Sequence, residues 1–350
     1  CISEWGHDFR PEYRQINSLR GIFPNVPLMA LTATATERVR ADIIEQLHLR
    51  EPACYTASFN RPNLTYRISA KSGAYEQILD FIRARKGESG IIYCQARKTA
   101  ENLASKLNAD NIRAAAYHAG METADRSRSQ EAFLRDEVRV VCATIAFGMG
   151  INKPIVRSVI HHDLPKSIEA YYQETGRAGR DGVPSEAFMT FGMGDVVQRR
   201  RMIEEGEAPD EVKRIERGKL DALLALCETT ACRRQTILRH FGEEHPGDCA
   251  GCDNCLTPAE TWDGTEAAIK VLAAIYRTGQ RFGAGHVIDV LVGKETEKVL
   301  SNGHHTQAVF GKGDELDTKG WQSVVRQLTA MGLISVDTAG FGALQLTEAA

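Results

Sequence analysis

The sequence predicts an α/β domain with a parallel sheet, followed by a small helical module with four cysteines and by a winged-helix domain. Three observations lead to this prediction. Short apolar runs alternate with helical segments through the first half of the chain, cysteines concentrate between residues 232 and 255, and helices followed by a short hairpin close the sequence. We therefore expect different architectures in the two halves of the chain.

The first half contains apolar runs short enough to be buried strands, separated by segments with helical periodicity. The predicted strands are 28–31, 90–94, 113–117, 138–143, 156–161 and 185–191. The predicted helices are 37–47, 74–85, 98–108 and 125–135. Strand, helix and strand at this spacing predict a parallel sheet with helices on both faces. We expect one complete domain over residues 55–195 and the C-terminal remnant of a similar one over residues 1–54.

The strand pattern stops after residue 195, and two further modules are predicted. Residues 196–258 contain a helical module, with helices at 195–205, 209–228 and 231–241. Residues 263–350 contain helices at 265–278, 284–291 and 319–331, then short strands at 333–337 and 343–346. The strands flank a turn that carries Phe341 between two glycines. Helices followed by a hairpin predict a winged helix.

The composition excludes several classes of protein. The 350 residues are 43% hydrophobic and 25% charged, which is ordinary for globular domains and excludes a disordered or fibrous chain. No apolar run approaches the roughly 18 residues of a membrane span, and residues 1–30 do not resemble a signal peptide. We therefore expect a cytoplasmic protein that does not contact membranes.

The net charge of −3 gives no argument for or against a nucleic-acid partner. A phosphate backbone would have to be met by local groups of cations, such as residues 199–201, 213–214 and 233–234. The alternative for each of these runs is an ordinary solvated helix face.

The cysteine spacing predicts a metal centre. Cys249, Cys252 and Cys255 are separated by two residues each in a Gly/Asp-rich segment, and Cys232 precedes them. Four thiolates are a typical ligand set of structural zinc, with no coordination position left open. Replacement of Cys232 by Cys227 or His240, or an iron–sulfur cluster, remains an alternative.

The run from Tyr171 to Gly182 predicts a phosphate-binding function. Arg177 and Arg180 are three residues apart, and each directly follows a glycine. Gln173 precedes both. We expect the two guanidinium groups on one face of a helix start, an arrangement suited to an arginine finger in phosphoryl transfer. The alternative is a surface pair of arginines.

Taken together, five motifs resemble those of superfamily-two helicases: residues 31–35, 91–94, 116–121, 143–154 and 171–182. The opening segment, residues 1–13, resembles the aromatic-rich loop that marks the RecQ family, and the four-cysteine module and winged helix are similar to that family's C-terminal region. The resemblance is to bacterial-type RecQ helicases and covers essentially the whole chain. It implies that the α/β domain is a RecA-like helicase lobe.

The resemblance implies an ATP-dependent 3′–5′ DNA helicase of recombination and repair, with structural Zn²⁺ and with ATP and Mg²⁺ as cofactors. It assigns Arg177 and Arg180 to the ATP phosphates, with Gln173 beside them as a third catalytic residue, and couples lobe closure to hydrolysis. Thr32 and Thr34 would link the two lobes.

DNA-contacting residues also follow from the resemblance. Trp5, His7, Phe9 and Arg10 would stack on single-stranded bases or pair with phosphates. His118 and Thr144, with the backbone of Gly148 and Gly150, would contact DNA phosphates, and Phe341 would stack on the end of a duplex. Single-stranded and duplex DNA are the implied partners, together with single-strand binding protein and recombination proteins, at the bacterial nucleoid.

The sequence lacks two motifs that the RecQ family carries. No Gly-x-x-x-x-Gly-Lys-Ser/Thr motif occurs in the 350 residues, and no Asp-Glu-x-His segment precedes the aromatic loop. We therefore expect that the chain begins inside a domain, that the main ATP and Mg²⁺ ligands lie upstream, and that this polypeptide alone is inactive. The alternative function is a non-catalytic zinc and winged-helix DNA-binding module attached to a vestigial motor domain.

Overall fold

The computed structural model describes residues 15–148, 153–337 and 342–350. Its strands are β1 (Leu64–Ala70), β2 (Ser89–Tyr93), β3 (Ala114–Tyr117), β4 (Val140–Ala143), β5 (Val156–His161), β6 (Ser185–Phe191), β7 (Ile334–Asp337) and β8 (Ala343–Leu346). Its α-helices in the first half are α1 (Leu19–Ile22), α2 (Glu37–Gln46), α3 (Ala74–Arg83), α4 (Arg97–Ala109), α5 (Thr123–Leu134) and α6 (Ile168–Thr175). Those in the second half are α7 (Met193–Glu205), α8 (Asp210–Glu228), α9 (Arg233–His240), α10 (Asp253–Leu256), α11 (Thr265–Arg277), α12 (Ala284–Leu291), α13 (Glu297–Ser301) and α14 (Thr318–Ala330).

The first six strands form one parallel sheet in the order β1-β6-β5-β2-β4-β3. Strands β2 and β4 are buried at every position, as the continuous apolar runs predict for a sheet covered on both faces. Ile91 and Ile92 are both fully buried, and they belong to two different hydrophobic clusters. Successive side chains of a strand point to opposite faces, so the central strand contributes to both cores. The predicted parallel α/β domain is therefore confirmed.

The predicted strand at residues 28–31 is wrong. These residues have no regular secondary structure, and the side chains of Met29 and Leu31 are 80% and 86% exposed. A strand requires a neighbour that accepts and donates its backbone hydrogen bonds. No described residue provides such a neighbour here, so the apolar run alone does not produce a strand.

The winged helix is built from α11, α12 and α14 and from the antiparallel pair β7 and β8. Trp321 of α14 is fully buried, and its indole nitrogen donates to the carbonyl oxygen of Gly313 over 3.0 Å. Helix α14 also packs on α8, where Arg326 Nε lies 2.7 Å from Glu228 Oε1 and both side chains are nearly buried. The winged helix is thus docked on the cysteine module. Among the described residues, no helix is long and apolar enough to cross a bilayer.

A pair of histidines lies inside the winged helix. His286 Nε2 is 2.7 Å from His304 Nδ1, and Phe282 stacks on the His286 ring with centroids 4.1 Å apart. Burial, and then the nearby charges of His304 and Lys298, lower the pKa of His286 from 6.5 to about 4. The folded winged helix therefore holds His286 neutral at neutral pH.

Acidification is expected to destabilise the winged helix through His286. In the unfolded chain His286 binds a proton below about pH 6.5, whereas in the folded protein it does so only near pH 4. The stability that the neutral ring contributes is therefore complete above pH 6.5 and is lost as the pH falls toward 4. Urea unfolding of wild type and His286→Gln at about pH 7 and about pH 5 measures this change. The variant should lose less stability on acidification. His305→Gln, at an exposed position, should behave as wild type; an equal pH response of both variants would contradict the assignment.

Candidate metal centre and nucleotide interface

Four cysteine sulfurs converge beside α9 and α10. The ligand atoms of Cys232, Cys249, Cys252 and Cys255 all lie within 4.8 Å of one another, and the sulfurs of Cys249 and Cys255 are 4.0 Å apart. Tetrahedral zinc with Zn–S bonds of about 2.3 Å requires sulfurs about 3.8 Å apart, so the cluster has the right size. The group contains the four predicted ligands, while Cys227 lies outside it. Four thiolates fill the coordination sphere, which makes this a structural rather than a catalytic centre.

The centre is attached to the sheet through Arg233. This side chain is only 5% exposed; its Nε donates to Asp253 Oδ1 over 2.5 Å and its Nη1 to the Leu226 carbonyl over 2.7 Å. The other oxygen of Asp253 accepts from the backbone nitrogen of Ile68 in β1 over 2.9 Å. A buried cation and a partly buried carboxylate thus join the cysteine loop to the edge of the sheet.

Arg234 makes a second connection. Its guanidinium donates to the carbonyl oxygens of Arg61 over 2.5 Å and of Leu64 over 2.6 Å, and to Asn60 Oδ1 over 2.9 Å. The backbone nitrogen of Tyr66 donates to the Gly251 carbonyl over 3.0 Å.

The basic runs that the sequence offered as phosphate ligands are largely used inside the protein. Besides residues 233–234, Arg199 Nε donates to the Leu164 carbonyl over 2.7 Å, and Arg200 lies 2.9 Å from Asp221. Arg199, Arg233 and Arg234 thus bind groups of the protein itself, whereas the Asp221 carboxylate beside Arg200 is half exposed. The sequence could not reveal these partners, because they are distant along the chain.

Residues 176–182, which contain Arg177 and Arg180 and are called the arginine segment below, follow the end of a helix. Helix α6 begins after Ser167, whose hydroxyl accepts from the backbone nitrogen of Ala170 over 3.2 Å, and ends before Gly176. Arg177 and Arg180 therefore lie beyond the C-terminal end of α6, and the expectation that they open a helix is wrong. Gly179, with φ of +60°, turns the chain away from the helical path.

Arg177 is anchored to the loop that follows β4. Its Nη1 donates to the carbonyl oxygen of Gly148 over 2.6 Å, while its Nε is buried with no hydrogen-bond partner among the described residues. Gly148 has φ of +133°, and a Cβ added there would overlap the guanidinium. The buried phenol of Tyr93 donates to the preceding carbonyl, that of Phe147, over 3.1 Å; burial raises its pKa, and the nearby Arg177 cation offsets part of that rise. Sequence reasoning missed Tyr93, because it lies in an apolar strand that predicts only core packing.

The predicted coupling residues meet the arginine segment. Gln173 Nε2 donates to Thr34 Oγ1 over 2.5 Å, and the backbone nitrogen of Thr34 donates to Thr32 Oγ1 over 3.3 Å. Burial, and then the neighbouring cations Arg177 and Arg61, lower the pKa of Arg180, which shows that the segment concentrates positive charge. The structure therefore joins Gln173, Thr34 and Thr32 in one contact between the predicted remnant and the complete lobe.

The carboxyl edge of the sheet carries the other predicted residues. His118 follows β3 and Thr144 follows β4, and the Thr144 nitrogen donates to the Tyr117 carbonyl over 3.1 Å. His118 is only 4% exposed, and its Nε2 lies 2.8 Å from Glu101 Oε1, so its ring is turned inward. The exposed Arg97, which follows β2, lies at the same edge beside Gly120.

Several predicted DNA contacts lie outside the described residues. These are Trp5, His7, Phe9, Arg10, Gly150 and Phe341. Gly342, which follows Phe341, packs against Val197 of α7.

Three family models match the chain in succession. The model for the helicase conserved C-terminal domain matches residues 73–182, the RecQ zinc-binding model matches residues 193–256, and the RQC domain model matches residues 258–350. The zinc-binding match includes all four clustered cysteines.

Relatives match over almost the whole chain. The ATP-dependent DNA helicase RecQ of Pasteurella multocida is 48% identical over 99% of this chain and 55% of its own length. That of Haemophilus influenzae is 48% identical over 100% of this chain and 56% of its own length. The chain belongs to the RecQ family. The ATP-dependent helicase SGS1 of Saccharomyces cerevisiae is 39% identical over 90% of this chain and 23% of its own length.

Membership of the RecQ family identifies the four-cysteine cluster as a structural zinc centre, and the iron–sulfur alternative is dropped. The parallel-sheet lobe carries the C-terminal helicase motifs, and the winged helix is the RQC domain of the family. The chain spans about half the length of the two bacterial RecQ relatives.

Proposed function

We propose that this chain is the second motor lobe, zinc module and winged helix of an ATP-dependent 3′–5′ DNA helicase that unwinds duplexes in recombination and repair. The observation that carries the proposal is the hydrogen bond between Thr34 and Gln173, which lies four residues before Arg177 in the sequence. An arginine finger has to act across a cleft between lobes, and this contact joins the arginine segment to residues on the other side of such a cleft.

On the nucleotide side, Arg177 and Arg180 are proposed to donate to the phosphates of ATP, with Gln173 beside them. Their planar donors would neutralise charge that develops on the transferred phosphoryl group. The unpaired Nε of Arg177 gives it a donor that no described residue satisfies. Because the sequence has no Gly-x-x-x-x-Gly-Lys-Ser/Thr motif, the main ligands of ATP and Mg²⁺ are proposed to come from a segment outside the 350 residues.

On the DNA side, single-stranded DNA is proposed to cross the carboxyl edge of the sheet, where Thr144 and the exposed Arg97 lie. His118 joins this contact only if its ring leaves Glu101. The aromatic residues Trp5, Phe9 and Phe341, with His7 and Arg10, keep their proposed roles in stacking and phosphate pairing.

The domain limits are likewise proposed as residues 1–54, 55–195, 196–258 and 263–350. The zinc-binding match and helix α7 both begin at Met193, which supports a division near residue 195. Single-strand binding protein and recombination proteins are proposed partners, and a cytoplasmic, nucleoid-associated location accompanies a DNA substrate.

ATP hydrolysis tests the proposal. The full-length protein should hydrolyse ATP faster with single-stranded DNA present and should unwind a duplex with a 3′ single-stranded tail. The present 350 residues should bind DNA and about one zinc ion without hydrolysing ATP.

Two outcomes would contradict the proposal. A full-length protein that binds DNA without hydrolysing ATP would favour the non-catalytic module. ATP hydrolysis at the wild-type rate by Arg177→Ala would show that Arg177 takes no part in the reaction.

A further inference from the structure

We infer that Tyr93 is a positioning residue, which holds the Arg177 guanidinium in the orientation needed at the nucleotide; this inference rests on the proposed function of Arg177. Tyr93 is the last residue of the central strand β2, and only 4% of it is exposed. Its hydroxyl donates to the carbonyl oxygen of Phe147 over 3.1 Å, and the charge of the nearby Arg177 guanidinium acts on it.

The phenol and the guanidinium bind neighbouring carbonyl groups. Tyr93 binds the carbonyl of Phe147, and Arg177 binds the carbonyl of Gly148, over 2.6 Å. The hydroxyl and the guanidinium are therefore held beside each other by one set of hydrogen bonds to two successive peptide groups. An arginine at the end of a helix has long, flexible side-chain torsions, and such a set removes much of that freedom before nucleotide binds.

Tyr93 is itself held in place by His161 and Glu174. His161 of β5 lies over its ring with centroids 5.6 Å apart, and His161 Nε2 is 2.7 Å from Glu174 Oε2 in α6. Burial raises the pKa of Tyr93 well above its usual range, so the phenol keeps its proton and donates to Phe147 at any physiological pH. Tyr93 is therefore a rigid, neutral group that holds the peptide next to the one Arg177 binds.

The same set reaches the proposed DNA edge. The backbone nitrogen of Phe147 donates to the Thr144 carbonyl over 3.0 Å, so Thr144 and the anchored carbonyls belong to one turn. A displacement of this turn by DNA would change the partners of Tyr93 and Arg177 together. The arginine position would then respond to DNA without direct contact between them.

The test is a double-mutant cycle in the full-length protein with saturating DNA. Tyr93→Phe removes only the hydroxyl and should lower kcat for ATP about tenfold, the size expected for loss of the hydrogen bond that holds the Phe147 carbonyl, with KM nearly unchanged. In an Arg177→Ala background, Tyr93→Phe should cause no further loss, because the group that it positions is gone. Tyr75→Phe is the matched control, since its hydroxyl bonds Asp110 instead.

The outcomes separate the inference from the proposed function. Full activity of Arg177→Ala would defeat the proposed function. A strongly impaired Arg177→Ala with a fully active Tyr93→Phe would defeat the positioning role alone. A loss from Tyr93→Phe that persists in the Arg177→Ala background would also overturn the inference, since damage to folding adds to the loss from Arg177 instead of disappearing with it.

Discussion

Gly148→Ala is expected to lower the DNA-stimulated kcat of the full-length protein by a factor on the order of 10³, close to the effect of Arg177→Ala. Gly148 has φ of +133°, which L side chains rarely adopt, and its added Cβ would occupy the position of the Arg177 guanidinium. The arginine would be expelled from its site even though it remains in the sequence. Single-turnover ATP hydrolysis measures the loss directly.

Gly182→Ala is the matched control for this prediction. Gly182 also has positive φ, at +80°, but nothing lies within 4 Å of its added Cβ. The Gly182→Ala variant therefore has the backbone strain of alanine at positive φ, about 1 kcal/mol, without a steric overlap of its Cβ. If the two alanine variants hydrolyse ATP equally fast at equal thermal stability, the position of Arg177 does not depend on Gly148.

Loss of zinc is expected to have the largest effect on stability. Cys252→Ser, or treatment with a strong chelator, should reduce zinc from about one ion per chain to none and unfold the module, because structural zinc contributes roughly 10 kcal/mol or more to small zinc-binding folds. Cys252 is fully buried and pairs with Tyr66 of β1, so the edge of the sheet should loosen as well. Metal analysis and thermal unfolding measure the two effects.

Cys54→Ser provides the control, since Cys54 is exposed and lies outside the cluster. It should keep both its zinc and its melting temperature. A zinc-free Cys252→Ser chain that melts at the wild-type temperature would show that the buried contacts of Arg233 and Arg234 hold the module without the metal.

Much of the fold could be predicted because its signals are local. Apolar residues placed β2 and β4 to β6 within a few residues, since strands buried on both faces are rich in apolar side chains. The failed strand at residues 28–31 has the same apolar signal, but strand formation depends on a paired neighbour, which no periodicity reveals. Helix α13 was not predicted, because its 5 residues are too few to show a clear helical periodicity.

The sequence by itself determined the chemistry that depends on spacing. Four thiolates within one short segment already predicted a closed metal centre, and the arginine segment already predicted contacts with phosphate. Such patterns survive in the sequence because a ligand set or a catalytic motif requires particular residue types at nearly fixed intervals.

Only the tertiary structure decided which partner each of these groups has. Arg233 and Arg234 look like a basic patch in the sequence, but folding surrounds them with carbonyl groups and a carboxylate from residues far away in the chain. Folding likewise brings Tyr93 and Gly148 to Arg177. The energy of a charged or polar group depends on its desolvation and on the groups facing it, and both arise only when distant segments pack together.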